Sequence, residues 1–445
     1  MSDQARPSAD ARMEGDASAT TMRKVRLRLI PFLMVLYICN LLDRGNVSFA
    51  KLTMQPDLGM SDPIFALGSG LFYLGYLVFE VPSNLILRRT GARLWISRIM
   101  VTWGLVSCST MLVTGTTSFF IVRILLGVAE AGFFPGIILY LTYWFPARER
   151  TRAIASFMAA NAIAGVINYP LTGAIMQYLD QVWGLHGWQW VFLLEGLPSI
   201  AFGILILFYL TDRPAEATWL ASHEKSWLAE RLGREEKLRE QRHGTDLWHA
   251  VMNVRVWFLI LLYFTVAFSS NAGGLYLPQI ITIRFQDSAE FKIGLIAALP
   301  SMCGMIGMLV NAVLADRTGR YRLHVAVPAF LAAAGWALVA FSHSPAAGLA
   351  GCCLAVTGMM SMLPPFWSLP TSFLSGAAAA GGIALINSVG NVGGIVGPPT
   401  VGLIFEATKN LNSALLALAL MMLLGGILAL FACREPTRDQ SAVNE

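Results

Sequence analysis

Four ionisable side chains interrupt stretches of the sequence that are otherwise apolar. Asp43 and Arg44 are adjacent in LLDRGNVSFA, and Arg123 and Glu130 both lie in RILLGVAEAGFFPGIIL. A charge at the centre of a bilayer-spanning helix costs a few kcal/mol or more unless it is paired or hydrated, so such residues tend to mark paths for protons or ions. The four side chains are therefore candidates for a functional set.

Helix geometry predicts how these four side chains are arranged. Arg123 and Glu130 are separated by about two helical turns, so they are predicted to share one face, roughly 10 Å apart. Neighbouring residues point about 100° apart, so Asp43 and Arg44 are predicted to face different surroundings. One of the two can then face a central cavity while the other faces a neighbouring helix.

Purely structural roles are the alternatives for both pairs. Arg123 and Glu130 could form ion pairs with neighbouring helices. Asp43 and Arg44 could anchor a helix end, because Lys51 follows closely. Two acids and two bases on two helices nevertheless favour a pathway for protons and an anion.

Three further charges in apolar stretches are interpreted as structural. Arg98 is predicted to pair with Glu80 or with loop carbonyls, and Glu195 to serve packing or a cytoplasmic gate. The second half of the chain has no charge inside its apolar stretches. It offers neutral polar and aromatic groups instead, namely Asn271, Gln279, Asn311, Trp367, Ser368, Thr371, Asn387 and Asn391. Charge handling is therefore predicted for the first half, and neutral recognition for the second.

The elements that carry these residues are predicted to be membrane-spanning helices. Of the 445 residues, 56% are hydrophobic and only 13% are charged, which is typical of a polytopic membrane protein. The apolar stretches approach or exceed the roughly 20 residues of a helical span and do not alternate as barrel strands do. We predict an all-α protein with twelve transmembrane helices in two six-helix halves. The spans are expected near residues 27–50, 65–87, 94–114, 118–145, 152–178, 188–211, 255–283, 292–314, 323–342, 346–368, 379–405 and 411–433.

One long charged segment, residues 212–244, divides the spans six and six, and its spacing suggests an amphipathic helix on the membrane surface. Basic residues concentrate in the loops on the side of the N-terminus, which places both termini in the cytoplasm. The predicted units are an N-terminal tail (1–26), a first bundle (27–211), a linker (212–254), a second bundle (255–433) and a C-terminal tail (434–445).

Catalytic and metal-binding patterns are missing from the sequence. It contains no histidine cluster, no Ser/His/Asp set and no nucleotide-binding loop, and its six cysteines follow no metal or disulfide spacing. We therefore expect neither an enzyme nor a metal site, and no nucleic-acid partner, because the basic residues are spread over short loops.

A repeated loop supports the division into halves. LRRTGARLW (87–95) follows the second predicted span, and ADRTGRYRL (315–323) follows the eighth. Both combine a glycine turn with basic groups near helix ends, which can hold two helices in one conformation. The candidate gating residues are Asp316, Arg317, Gly319, Arg320, Arg89 and Gly91, while Arg88 stands where the first copy would carry its aspartate.

The second copy of this loop resembles the Asp-Arg-x-Gly-Arg-x-Arg signature of the major facilitator superfamily. Over nearly its whole length the chain is similar to one branch of it, the anion:cation symporter family. That family includes bacterial carriers for tartrate, sugar acids, phthalate and hydroxyphenylacetate. The resemblance is carried by LLDRGNVSFA, LVFEVPSNLILRRTGARLW, RILLGVAEAGFFPGIILYLTYWFPARER, GWQWVFLLEGLPSI, DRPAEATWL and FWSLPTSFLSGAAAAGGIALINSVGNVGGIVGPP.

The resemblance implies a monomeric, proton-coupled symporter that imports a small organic carboxylate across the bacterial inner membrane by alternating access between parallel halves. Protons are its coupling ion and it needs no cofactor. Asp43 and Glu130 would carry protons, with Arg123 stabilising the deprotonated acids. Arg44 would bind the substrate carboxylate. The other substrate contacts would be Tyr76, Trp367, Asn391 and Asn387, although packing is an equal alternative for Asn387.

Two other functions remain open from the sequence, an anion exchanger independent of protons and a receptor that binds without transport. The substrate class is also open. A hydroxy acid or a sugar acid would require several hydrogen-bond partners, whereas an aromatic acid would stack on Trp367, Phe366 and Tyr76.

Overall fold

Long helices build almost the entire protein in this computed structural model. The structure describes residues 9–242, 252–286, 288–371 and 376–432. The whole predicted C-terminal tail, the first eight residues of the N-terminal tail and part of the linker fall outside these described residues.

The first half contains α1 (Ala9–Asp57), α2 (Asp62–Thr90), α3 (Ala92–Ser109), α4 (Thr116–Glu130), α5 (Phe133–Thr142), α6 (Ala147–Tyr178) and α7 (Gly187–Tyr209). The helix α8 (Ser222–Arg242) lies in the linker. The second half contains α9 (Val254–Arg284), α10 (Glu290–Thr318), α11 (Tyr321–Phe341), α12 (Pro345–Ser361), α13 (Leu363–Thr371), α14 (Gly376–Gly390), α15 (Val392–Thr408) and α16 (Leu411–Ala432). The chain begins α1 and ends α16 on one side of the bundle, here called the terminal side, and the opposite side is the far side.

Eleven segments among the described residues are long and apolar enough to cross a membrane. The predicted third span, built from α3 and a short helical turn at Thr110–Leu112, is not among them. This helix carries buried serines that bond to the rest of the first half. Ser97 donates to the backbone carbonyl of Gly203 at 2.6 Å, and Ser107 donates to Asp43. Two arginines, Arg93 and Arg98, lower the mean hydropathy of α3, and its serines add polar groups whose hydroxyls are hydrogen-bonded when buried.

The predicted fourth span is broken into α4 and α5 at Ala131 and Gly132. Gly132 has φ 87° and lies against α2, where a Cβ atom would come 2.3 Å from Ser83 Oγ. Only glycine accepts both the left-handed backbone and the close contact. Glu130 is consequently the last residue of α4, and its side chain is directed by the end of a helix rather than by a continuous one.

The repeated loops form tight glycine turns in both halves. Gly91 has φ 90° and Gly319 has φ 67°, each just after a helix ends. In the second copy the Tyr321 hydroxyl donates to Asp316 at 3.2 Å. In the first copy, which lacks the aspartate, Asp212 from the end of α7 accepts a bond from the Arg93 backbone N–H at 2.8 Å. A carboxylate at the start of α3 is favourable there because helix N-termini attract negative charge.

The remaining candidate gating residues, Arg89, Arg317 and Arg320, are exposed on the terminal side. The linker also lies there, docked on the first half. Lys24 of α1 pairs with Glu224 of α8 at 2.7 Å, and Glu224 accepts a second bond from the Ala221 backbone N–H at 2.9 Å.

For two of the charged residues, the structure excludes one of the two predicted roles. Glu80 and Arg98, both described, form no ion pair, and the Arg98 guanidinium stacks 3.9 Å from the centre of the Trp95 ring. Glu195 lies roughly 12 Å along α7 from its first residue on the far side, so it cannot belong to a gate on the terminal side, whereas its burial agrees with the predicted packing role.

The two halves meet along α2 and α15 and along α6 and α10. Helix backbones come close at glycines. A Cβ atom on Gly70 would lie 2.8 Å from the Ile395 carbonyl oxygen, and one on Gly294 would lie 2.4 Å from the carbonyl oxygen of Tyr169. These approaches fall in the half of each helix nearer the far side. The halves are therefore closed against each other on the far side.

A buried lysine strengthens this closure. The Lys51 ammonium, at the far end of α1, pairs with Asp62 at 2.6 Å and donates to the Gln279 side chain of the second half at 2.8 Å. It also lies 3.7 Å from the centre of the Tyr276 ring, and the lysine is only 2% exposed. Because Gln279 and Tyr276 belong to the other half, the lysine links the two halves.

Replacing this lysine is expected to loosen the far side. Lys51→Met removes a hydrogen-bonded cation whose loss we put at about 1–2 kcal/mol, which would shift the ratio of closed to open forms by a factor of roughly 5–30. Spin labels at Ile64 and Leu403, both exposed beside the α2–α15 contact, should then show a larger long-distance population in a cysteine-free background. Lys409→Met, at an exposed lysine on the far side, is the matched control. An unchanged distance distribution for Lys51→Met would show that the lysine does not hold the halves together.

Candidate functional site

Asp43 lies inside the first half, turned away from the interface between the halves. One oxygen accepts from Ser107 Oγ at 2.6 Å, and the other accepts from Trp103 Nε1 at 2.6 Å and Ser199 Oγ at 3.0 Å. The residue is 1% exposed, and no cation among the described residues lies within 4 Å of it. Neutral donors from α3 and α7 thus take the place of a counter-ion.

Arg44, the next residue, faces the other way and forms an ion pair with Glu130. Glu130 also accepts a bond from Asn40 Nδ2 at 2.6 Å and is buried, whereas the Arg44 side chain is 28% exposed. The Arg44 guanidinium also lies 4.9 Å from the centre of the Tyr76 ring. Arg44 therefore sits at the edge of a cavity with its charge already balanced by Glu130.

Arg123 is the second cation of the site and is 4% exposed. One guanidinium nitrogen donates to the Ser69 carbonyl oxygen at 3.4 Å, and the guanidinium carbon lies 5.1 Å from the centre of the Phe72 ring. Its Nε atom has no hydrogen-bond partner, and no carboxylate of the described residues lies within 4 Å of it. Arg123 therefore does not pair with Glu130, and its charge has no counter-ion.

A cavity lies between the halves and contains both arginines in its wall. Its volume is about 130 Å³, below the roughly 300–1,000 Å³ usual for sites that bind drug-sized molecules. The polar groups of its wall come from four helices of the first half and from α9 of the second: Arg44, Ser48, Ser69, Tyr73, Arg123, Tyr169, Ser270 and Asn271. The cavity is therefore small, and its wall carries an excess of positive charge.

Tyr73 connects the halves across the cavity. Its hydroxyl donates to the Asn271 side-chain oxygen, and the Asn271 amide nitrogen donates to the Ala267 carbonyl oxygen at 2.8 Å. The sequence alone did not mark Tyr73, Ser48, Ser69, Tyr169 or Ser270 as residues of a cavity. The one available signal was that Tyr73 precedes Tyr76 by about one helical turn.

The predicted substrate contacts of the second half do not line this cavity. Trp367 of α13 packs in an aromatic cluster, with its ring centre 5.1 Å from that of Tyr263 and 5.0 Å from that of Phe366. Asn391 lies at the break between α14 and α15, where its amide donates to the Asn387 side-chain oxygen at 3.3 Å. In this conformation the two asparagines satisfy each other.

The sequence and the fold both match known transporters. Residues 33–398 match the family model described as Major Facilitator Superfamily. The chain is 46% identical over 430 residues to an Agrobacterium vitis protein named "Putative tartrate transporter", covering 96% of this chain and 94% of that one. It is 40% identical over 426 residues to the "Quinolone resistance transporter" of Acinetobacter baumannii, covering 96% and 98% of the two chains.

Among solved structures, the fold is similar to a bacterial homolog of the human lysosomal transporter Spinster, in an inward-facing and occupied conformation. The TM-score is 0.76 at 15% identity, covering 93% of this chain and 98% of that one. The central cavity and the two packed halves are consistent with the family that the sequence match indicates. The chain belongs to the Major Facilitator Superfamily and is a multi-pass membrane transporter rather than an enzyme.

Proposed function

We propose that this transporter is a proton-coupled symporter that imports a small organic carboxylate across the bacterial inner membrane, with both termini in the cytoplasm. The observation that carries the proposal is Arg123, a buried guanidinium in the wall of the central cavity without a carboxylate partner. A buried charge without a counter-ion is costly, and a carboxylate fits the forked donors of a guanidinium. An anionic substrate supplies the missing charge.

This assignment changes the division of work between the two arginines. The family resemblance gives the substrate carboxylate to Arg44, but in this conformation Glu130 occupies Arg44. We therefore assign the first contact with the substrate to Arg123. When a proton neutralises Glu130, Arg44 also binds the substrate carboxylate, because a neutral acid interacts with the guanidinium far less strongly than a carboxylate does.

That exchange couples the proton to the anion. With Glu130 ionised, Arg44 is occupied and an added anion would face a nearby negative charge. With Glu130 protonated, Arg44 is released and the cavity carries two positive charges for the anion to neutralise. Protonation and anion binding thus favour each other by the same free energy, as thermodynamic linkage requires.

Asp43 is suited to take up and release a proton without rearrangement. The indole of Trp103 can only donate, but the hydroxyls of Ser107 and Ser199 can donate or accept. When Asp43 is ionised it accepts all three bonds. When it is protonated, one serine hydroxyl rotates and accepts the new O–H.

A hydroxylated acid is the substrate class that the cavity favours. Its wall offers the hydroxyls of Ser48, Ser69 and Ser270 and the amide of Asn271, whereas Trp367 lies outside it. Sites that hydrogen-bond several substrate hydroxyls discriminate against substrates that lack them. The similarity to a protein named for tartrate supports the same class.

Arg123→Gln should weaken carboxylate binding by about 10- to 100-fold, the cost of losing a charge-assisted pair. Isothermal titration with tartrate and a panel of sugar acids measures the loss. Arg98→Gln, which removes an arginine stacked on Trp95 outside the cavity wall, is the matched control. Equal affinities for Arg123→Gln and the unmodified protein would remove the central support of the proposal.

Glu130→Gln should abolish the proton dependence of binding. Carboxylate affinity of the unmodified protein is expected to rise at acidic pH, whereas the variant should bind equally at acidic and alkaline pH because Arg44 is never occupied by a carboxylate. In proteoliposomes the unmodified protein should use the inward movement of protons down a pH gradient to accumulate substrate. The variant should exchange internal for external substrate without accumulating it. Counterflow that ignores the pH gradient in the unmodified protein would instead identify an anion exchanger.

A further inference from the structure

A third buried carboxyl group lies in the first half, in addition to Asp43 and Glu130, and it is outside the cavity wall. Glu195 of α7 is 4% exposed. No cation of the described residues lies within 4 Å of its oxygens. An ionised carboxylate in such a place is strongly disfavoured, so a buried acid without a counter-ion is held as the neutral form.

The hydrogen bonds around Glu195 also require an additional hydrogen. Thr172 Oγ1 lies 2.8 Å from Glu195 Oε1, 2.9 Å from the Asn168 carbonyl oxygen and 3.4 Å from the Asn168 side-chain oxygen. A threonine hydroxyl has one hydrogen and two acceptor positions. Its single hydrogen can serve one of these oxygens at a time, and a proton on Glu195 satisfies a second contact.

Two buried side-chain oxygens of the first half have no hydrogen-bond partner among the described residues. They are the second carboxyl oxygen of Glu195 and the side-chain oxygen of Asn46, whose amide nitrogen donates to Asp43 at 3.5 Å. The second Glu195 oxygen is therefore buried without a donor, which disfavours a negative charge on it.

We propose that Glu195 is a third proton-binding site of this transporter, in addition to Glu130 and Asp43, and that it is held as a neutral acid by its hydrogen bond to Thr172. Its role in transport rests on the proton-coupled function proposed above. Like Asp43, it is a buried acid with no cation within 4 Å among the described residues.

Groups from three other helices lie around Glu195. Asp43 of α1 interacts with it electrostatically, and Cys108 of α3 packs against the adjacent Gly196. From α6, Thr172 contacts Glu195 and also contacts Asn168. Asn168 in turn lies against Gly45, where a Cβ atom would come 1.9 Å from its amide nitrogen, and Gly45 is part of the cavity wall. A short polar chain thus runs from the cavity through Asn168 and Thr172 to Glu195.

Infrared spectroscopy tests the protonation directly. The unmodified protein at neutral pH should show the carbonyl stretch of a protonated carboxylic acid, and Glu195→Gln should remove one component of that band. Glu80→Gln, at an acid that is not fully buried, is the matched control and should leave the component in place. A band unchanged in Glu195→Gln would overturn the proposal.

A second variant keeps the test decisive if Glu195→Gln does not fold. Thr172→Val retains Glu195 and removes its hydroxyl partner, so the Glu195 component should shift in frequency rather than disappear. A band unaltered by this nearly isosteric change would show that the acid signal does not come from Glu195.

Uptake measurements separate this proposal from the proposed function. If the unmodified protein accumulates substrate down a pH gradient and Glu195→Gln reduces that response, Glu195 belongs to the coupling machinery. If the unmodified protein ignores the gradient, the symport function fails while the infrared result for Glu195 stands. If symport is intact and equally strong in Glu195→Gln, the transport role of Glu195 is overturned.

Discussion

The cost of burying charge in an apolar interior governs the architecture of the first half. Each of its central charges is stabilised in a different way. Arg44 and Glu130 neutralise each other, Asp43 is surrounded by neutral hydrogen-bond donors, and Arg123 rests on a carbonyl oxygen and an aromatic ring. Among the described residues, Arg123 is the cation of the cavity wall that has no carboxylate within 4 Å, and the proposed binding of an anion rests on this difference.

This arrangement depends on helices that come unusually close. A Cβ atom on Gly127 would lie 2.0 Å from the Phe72 carbonyl oxygen, so α4 and α2 touch backbone to backbone. That contact places Arg123 beside Phe72, while the break at Gly132 ends α4 at Glu130, opposite α1. On the side away from the cavity, Ser107 of α3 and Ser199 of α7 donate hydrogen bonds to Asp43. The helix α3, which is more polar than the other predicted spans, is therefore one of the two that support the buried acid.

The two halves contribute unequally to transport chemistry. The first half supplies the charged groups and the second supplies neutral ones, such as Ser270, Asn271 and Gln279. Bonds between the halves join these two sets at Tyr73–Asn271 and at Lys51–Gln279. Because such neutral or singly charged contacts can break at modest cost, they suit an interface that must open and close during alternating access.

The sequence by itself determined the helical architecture and the rough position of each charged residue within it. Long apolar stretches, the charged segment between them and the repeated glycine loop are local signals, and they predicted an all-helical bundle in two halves. The four central charges were also visible, because a charge within an apolar stretch stands out without any knowledge of the fold. The different directions of Asp43 and Arg44 followed from helix geometry alone.

Only the tertiary structure decided which of these residues meet. Spacing along one helix predicted that Arg123 and Glu130 share a face. Because α4 ends at the break before Gly132 and α1 lies opposite, Glu130 instead forms its ion pair with Arg44. Asp212 serves the loop that lacks an aspartate, and Tyr73 rather than Trp367 lines the cavity. Partner choice depends on the relative position and rotation of helices distant in sequence. The position and rotation of each helix are set by close packing over the whole bundle, and the periodicity of residues within one span carries no information about them.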